Sequence, residues 1–220
     1  MDPFHERLAR VALEAGAKYG FVLAGGYAVQ AHGLVERESK DVDIFTTTRA
    51  AADFIAAVDH VVSTPRADGL RVTNQRTTEA FARLVVTDPA AGNSAVMELA
   101  VDWRANEPVR LDIGPVLHPD DAVASKMSAL FGRAMARDFI DIDAVIASGR
   151  YGRPDLLRLS EERDSGFSIV TFADALGAMR RLDDAEFAAY GLSPTEIAAM
   201  RQRFAEWRED LLKEGGMPPS

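Results

Sequence analysis

The chain has 220 residues, 47% of them hydrophobic and 27% charged, an ordinary balance for a protein that buries a substantial core. It contains no cysteine, which excludes disulfides, zinc–thiolate sites and thiol catalysis. A net charge of −9 argues against a protein that coats nucleic acid with a broad basic surface, though it leaves room for a local basic strip. The first residues carry charges through a helical apolar pattern rather than a signal-peptide core, and no apolar run reaches membrane-spanning length, so the expectation is a soluble, cytoplasmic protein.

In chain order, residues 4–18 place Phe4, Leu8, Val11, Ala12 and Ala15 on one helical face. FVLAGG is a short apolar run ending in two glycines, as in a buried strand entering a tight turn, and YAVQAHGL continues as a short helix closed by Gly33. DVDIF alternates charged and apolar side chains with the period of a strand. The alanine-rich stretch from Arg49 to Val58 predicts a helix. Residues 69–75, 80–87 and 95–103 predict strands, with DPAAGN as the last turn and VRLDIG as one more short strand. After Pro119 strand signals almost vanish. Helical periodicity runs from Asp120, with Asp120 or Asp121 as a cap, and further helices are expected at 153–162, 170–180, 183–190 and 194–213. The predicted organisation is an α/β core over 1–118, a helical region over 119–213 that completes the site and binds the acceptor, and a disordered tail over 214–220.

The chemistry concentrates in Asp41 and Asp43. Two apart on a strand, they point to one face, and two adjacent carboxylates repel unless a cation compensates. Mg²⁺ (or Mn²⁺) suits such hard oxygen ligands. A lone D-x-D is as readily the wet face of an edge strand; the context shifts the balance. Gly25 and Gly26 lie between strand and helix, where backbone can approach a phosphate and a helix N-terminus offers N–H groups. Ser39 either contacts a triphosphate oxygen or caps a turn. A third carboxylate would complete a two-metal site. Asp102, ending the apolar strand LAVD, is the preferred candidate; Glu98, on the same face by parity, and Asp112 are the alternatives. In the helical half, Lys126 offers a cation for phosphate, while Asp138 and Asp141 share a helix face at i, i+3. Arg137 and Asp141 also have the spacing of a plain surface ion pair. His32 and His60 read as structural, and Trp103 and Trp207 as packing residues.

Taken together, GG-x14-D-V-D from Gly25 to Asp43, LAVD ending at Asp102, Lys126 and the D-F-I-D of Asp138 to Asp141 resemble the AbiEii/MenT group of nucleotidyltransferase toxins, relatives of DNA polymerase β. The resemblance spans roughly residues 20–148. It implies a polymerase β-like α/β (α+β) fold with a mixed sheet, followed by a mostly helical C-terminal half. It further implies a type IV toxin–antitoxin pair with a cognate antitoxin, and NMP transfer from an NTP to the 3′ end of tRNA, blocking translation. By motif, Gly25, Gly26 and Ser39 would bind nucleotide, and Asp41, Asp43 and Asp102 would hold metal and carry catalysis. Lys126 would neutralise phosphate, and Asp138 and Asp141 would organise the site. The sequence has GG where many relatives have GS, so that serine hydroxyl is missing. The competing readings are a nucleotidyltransferase acting on an antibiotic or metabolite, and a catalytically silent nucleotide-binding protein.

Overall fold

The computed structural model describes residues 1–214, so the tail expected over 214–220 lies almost wholly outside the described residues. The chain divides into two compact units, Met1–Ala122 and Val123–Ser220, and the division falls inside one helix a few residues beyond Pro119.

The first unit opens with α1 (Pro3–Ala15). Asp2 caps it by accepting the N–H groups of Phe4 and His5, and the bond from His5 holds its carboxyl below the usual carboxylate range. The buried stripe of α1 is Phe4, Leu8, Ala9, Ala12 and Leu13; Val11 and Ala15 fall to its margin. Strand β1 (Val22–Leu23) is short, and α2 (Gly25–Ala31) begins directly at the first glycine. Strand β2 (Asp41–Thr46) follows. The alanine-rich stretch forms a 3₁₀ segment, Thr48–Asp53, and the α-helix proper, α3 (Phe54–Ala67), begins only there. Its buried face is Phe54, Val58, Val61 and Val62, and His60 lies within the helix, edge-on to Tyr19. Strands β3 (Arg71–Thr77), β4 (Phe81–Thr87) and β5 (Ser94–Val101) form a meander. In the β4–β5 turn, Asp88 accepts the N–H groups of Ala90 and Ala91, and Gly92 takes a left-handed φ of 75°. The expected single strand over VRLDIG is a hairpin of β6 (Val109–Leu111) and β7 (Gly114–Val116).

These strands make one mixed sheet in the order β3-β4-β5-β2-β1-β7-β6, with β2 and β5 parallel and β1 antiparallel to β2. One face is apolar: Val42 and Ile44 of β2, Met97 and Leu99 of β5, and Leu84 and Val86 of β4 are all buried, and α1 and α3 pack on the sheet. Each such side chain contributes about 1.5–3 kcal/mol by leaving water. Register is therefore fixed, because a one-residue slip would expose every one of them. The opposite face, half-exposed, carries Asp41, Asp43 and Glu98.

The second unit is helical. Helix α4 (Pro119–Arg133) runs into it, followed by α5 (Ala136–Ala147), α6 (Arg153–Arg163), α7 (Ile169–Gly177), α8 (Asp184–Ala188) and α9 (Pro194–Glu214). Ala134, at φ 47°, breaks the periodic run between α4 and α5. The aromatic core joins Phe139, Phe172, Phe204 and Trp207, with edge-on contacts of 5.0 Å (Phe139–Phe204) and 5.3 Å (Phe172–Trp207) between ring centres. Trp207 is thus a packing residue, whereas Trp103 in the first unit is 45% exposed, against the expectation that it packs. No helix among the described residues is long and apolar enough to cross a membrane.

Candidate active site

Strand β2 presents Asp41 and Asp43 on one face because its alternation is strict: Val42, Ile44 and Thr46 are buried on the other. Parallel pairing sets Asp43 opposite Glu98 on β5. The result is a three-carboxylate group, Asp41, Asp43 and Glu98, with one oxygen of each within 4.8 Å of the others. Three anions at that separation favour a cation, and hard oxygen donors fit Mg²⁺ or Mn²⁺.

The preferred third carboxylate, Asp102, does not join this group. Strand β5 ends at Val101, and Asp102 lies four residues beyond Glu98, about 13 Å along an extended chain. Its carboxylate there accepts the N–H of Trp103. Parity alone leaves both acids eligible; the register selects Glu98. Asp112 lies in the turn between β6 and β7, at the far end of the sheet order from β4 and β5, where its carbonyl accepts from Arg10 at 2.6 Å. Asp120 and Asp121, the two residues expected as a helix cap, both lie in the first turn of α4, and Asp121 accepts the N–H groups of Ala105 and Asn106.

Both glycines are demanded by their neighbours. Gly25 has φ 57°, and a Cβ on it would run into the carboxylate of Asp43. A Cβ on Gly26 would lie 2.6 Å from Oγ of Ser39. The backbone here also carries the strand, since the N–H of Ala24 donates to the carbonyl of Asp43. Ser39 is buried, and its hydroxyl donates to Asp41 at 3.4 Å. Its carbonyl accepts from the hydroxyl of Tyr27 at 3.0 Å, and that hydroxyl meets Nδ1 of His5 at 2.6 Å. With the phenol donating to Ser39, His5 is the donor to the phenol. Burial pushes the Tyr27 phenol up to about 12. The sequence offers no sign of this His5–Tyr27–Ser39 chain, because its members are joined only by packing.

On the other side of the carboxylates, Arg83 of β4 faces Glu98 and forms an ion pair with it. Arg76 of β3 stands opposite Arg83 in turn, past a bulge at Asn74–Arg76. One row across four strands therefore reads Asp43, Glu98, Arg83, Arg76. Its signal in the sequence is a charge at the wet-face parity of β2, β5 and β4; in β3, Arg76 shares the parity of buried Val72, and only the bulge sets it opposite Arg83.

The AbiEii model, described as a nucleotidyl transferase toxin of type IV toxin–antitoxin systems, matches residues 7–214. The chain belongs to the AbiEii nucleotidyltransferase toxin family. It is accordingly a nucleotidyltransferase, and the family implies an NTP substrate and a cognate antitoxin. In fold it is similar to a structure described as a nucleotidyltransferase from H. pylori, with TM-score 0.55 and 17% identity over 94% of this chain and 96% of that one. It is also similar to MenT4, a nucleotidyltransferase toxin of Mycobacterium tuberculosis H37Rv, with TM-score 0.51 and 18% identity over 92% of this chain and 82% of that one. No curated protein matches it in sequence. These likenesses show the fold, a mixed sheet with helices shared with nucleotidyltransferase structures and consistent with an α/β polymerase β-like core.

Within the helical unit, Lys126 is 9% exposed and pairs with Asp141 at 2.8 Å. Asp141 is fully buried, whereas its spacing from Arg137 suggests a residue of the surface. The Nε of Arg137 is itself buried without a hydrogen-bond partner. Asp138 is fully buried, clasped by Nε and Nη2 of Arg133 at 3.0 and 2.8 Å, and accepts the N–H of Met135. That bond closes the start of α5. In the first unit, a ring nitrogen of His32 meets the carbonyl of Leu117 at 2.7 Å, a structural tie between α2 and the chain after β7.

Proposed function

We propose that this toxin transfers an NMP from an NTP to an RNA acceptor, the 3′ end of tRNA, and thereby inhibits translation. The observation that carries the reading is the convergence of Asp41, Asp43 and Glu98 beside a turn whose glycines leave backbone, not side chain, against the carboxylates. Asp41, Asp43 and Glu98 would hold Mg²⁺ or Mn²⁺. Bound there, the metal supplies charge compensation and Lewis acidity at the α-phosphate.

The chain's own groups do the positioning. Gly25 and Gly26 keep the approach open for the triphosphate, and Ser39, anchored through Tyr27, offers its hydroxyl to a phosphate oxygen. By the family motif Lys126 would neutralise phosphate charge, with Asp141 holding its ammonium, while Asp138 acts on the geometry of α5. The acceptor hydroxyl attacks the α-phosphorus in line, the bond from that phosphorus to the bridging oxygen breaks, and pyrophosphate leaves. The hydroxyl proton passes to a carboxylate of the cluster. A cytoplasmic location follows from a tRNA target.

The test is label transfer with purified protein, Mg²⁺, each α-labelled NTP in turn and total tRNA, beside Asp41→Ala. Label on tRNA that disappears in the variant is the expected result. A folded, NTP-binding wild type that leaves tRNA unlabelled but labels a small molecule would replace RNA with a small-molecule acceptor.

A further inference from the structure

We propose that Arg83 and Arg76 form a phosphate subsite for the acceptor's backbone, and that Glu98 shutters it by holding Arg83 until metal is bound. This rests on the RNA-acceptor reading above and extends it to the order of binding.

The row across the sheet gives the geometry. The glycine turn follows β1, on one side of β2; Glu98, Arg83 and Arg76 succeed one another on β5, β4 and β3, on the other. Neighbouring strands stand about 4.8 Å apart, so the two guanidinium-bearing positions lie roughly 5 and 10 Å beyond Glu98. Consecutive phosphates of a single strand are spaced on a comparable scale. Donor phosphates over the glycines and acceptor phosphates over the arginines would place the two reactants on opposite sides of the carboxylates, which leaves room for the attacking and leaving oxygens to lie in line at the α-phosphorus.

Arg83 and Arg76 face each other directly across the β3–β4 pairing, a like-charge arrangement that is unfavourable without an anion between or beside them. Glu98 relieves one of them. The same carboxylate belongs to the metal cluster, so a metal ion there and Arg83 compete for one negative charge. Metal binding withdraws Glu98 from Arg83, and the released guanidinium, beside Arg76, takes a phosphate. Arg83 is 41% exposed on its side chain and can turn without unpacking a core. Arg76 is exposed and lies over the Phe81 ring at 6.0 Å, which steadies it on the edge of the sheet. Guanidinium groups bind phosphate by paired N–H donors, a geometry lysine lacks.

Two titrations on the full chain decide it. Mn²⁺ binding, read by the loss of the free-ion electron paramagnetic resonance signal without nucleotide or RNA, is expected to be about two- to fivefold tighter in Arg83→Gln than in wild type, the range of one exposed ion pair. Arg76→Gln, which leaves Glu98 untouched, should bind Mn²⁺ as wild type does. Binding of bulk tRNA with Mn²⁺ present should weaken in both variants, and the double variant should lower the salt-dependence slope by about 0.7–0.9 for each phosphate it no longer neutralises. Arg83→Lys should restore less RNA binding than its charge alone would. Unchanged Mn²⁺ affinity in a folded Arg83→Gln overturns the shutter, and unchanged RNA binding in the double variant overturns the subsite. Neither titration needs catalysis, so a failure of label transfer to tRNA is read separately.

Discussion

Two carboxylate–arginine pairs in this protein have the same chemistry and opposite consequences. In the sheet unit, Glu98 pairs with Arg83 on a half-exposed face, with side-chain exposures of 19% and 41%. In the helical unit, Asp138 is 1% exposed at its side chain and directs its oxygens to two nitrogens of Arg133 and to the N–H of Met135. Three bonds offset the desolvation of Asp138, so releasing it would strand a buried charge. Glu98 keeps contact with water and two anionic neighbours, so exchanging one cation for another costs little. Burial and the number of bonds, rather than the residue types, separate a structural pair from an exchangeable one.

The largest expected effect comes from the exchangeable side. Asp43→Asn keeps the shape of the strand while halving the charge that Asp41 and Asp43 present. Transfer activity should fall by roughly 10²–10³-fold or more, the scale of losing one electrostatic element of such a site. Thermal stability should not fall, because the change removes like-charge repulsion within the cluster. A variant that lost stability in proportion to activity would mean that the carboxylates hold the sheet together, and the contrast with Asp138 would collapse.

Arg133→Gln tests the structural side. It removes a two-point, charge-assisted clasp on buried Asp138, and about 1–3 kcal/mol of unfolding free energy should be lost in chemical denaturation. Label transfer per folded molecule should stay near wild type. If activity fell while stability held, Asp138 would be organising the site, as the family resemblance implies, rather than only the start of α5.

The same contrast explains what can be read from the sequence. DVDIF reveals its own face, since alternation is a local property and Val42 and Ile44 have to be buried. The glycine pair is legible as a turn, but not as the cradle of the Asp43 and Ser39 side chains, which reach it from later in the chain. Choosing between Glu98 and Asp102 requires the register of β5 on β2, set by packing of Met97 and Leu99 beneath the sheet. Ala134 illustrates the other limit. A left-handed alanine between α4 and α5 has no local signature, and periodicity runs straight through it. Asp121 reads as a cap because it stands at a helix start, yet two N–H groups of the 105–106 loop claim it.

The smallest expected effect lies behind the site, at Tyr27. Its hydroxyl fixes the carbonyl of Ser39 and thereby the entry into β2, so Tyr27→Phe should cost about 1 kcal/mol at neutral pH. Its pH dependence is more telling. Burial raises the folded phenol from 10.0 to about 12. The stability that depends on the neutral phenol is therefore complete below about 10, where both states are protonated. It is lost as pH rises toward 12, because the unfolded chain gives up the proton first. Other groups titrate in that window too, but they are common to wild type and variant. The wild-type advantage over Tyr27→Phe in denaturant midpoint should therefore shrink between about pH 10 and 12. Parallel curves through that window would show that the phenol is not held neutral, and that the His5–Tyr27–Ser39 chain is not what anchors the first carboxylate strand.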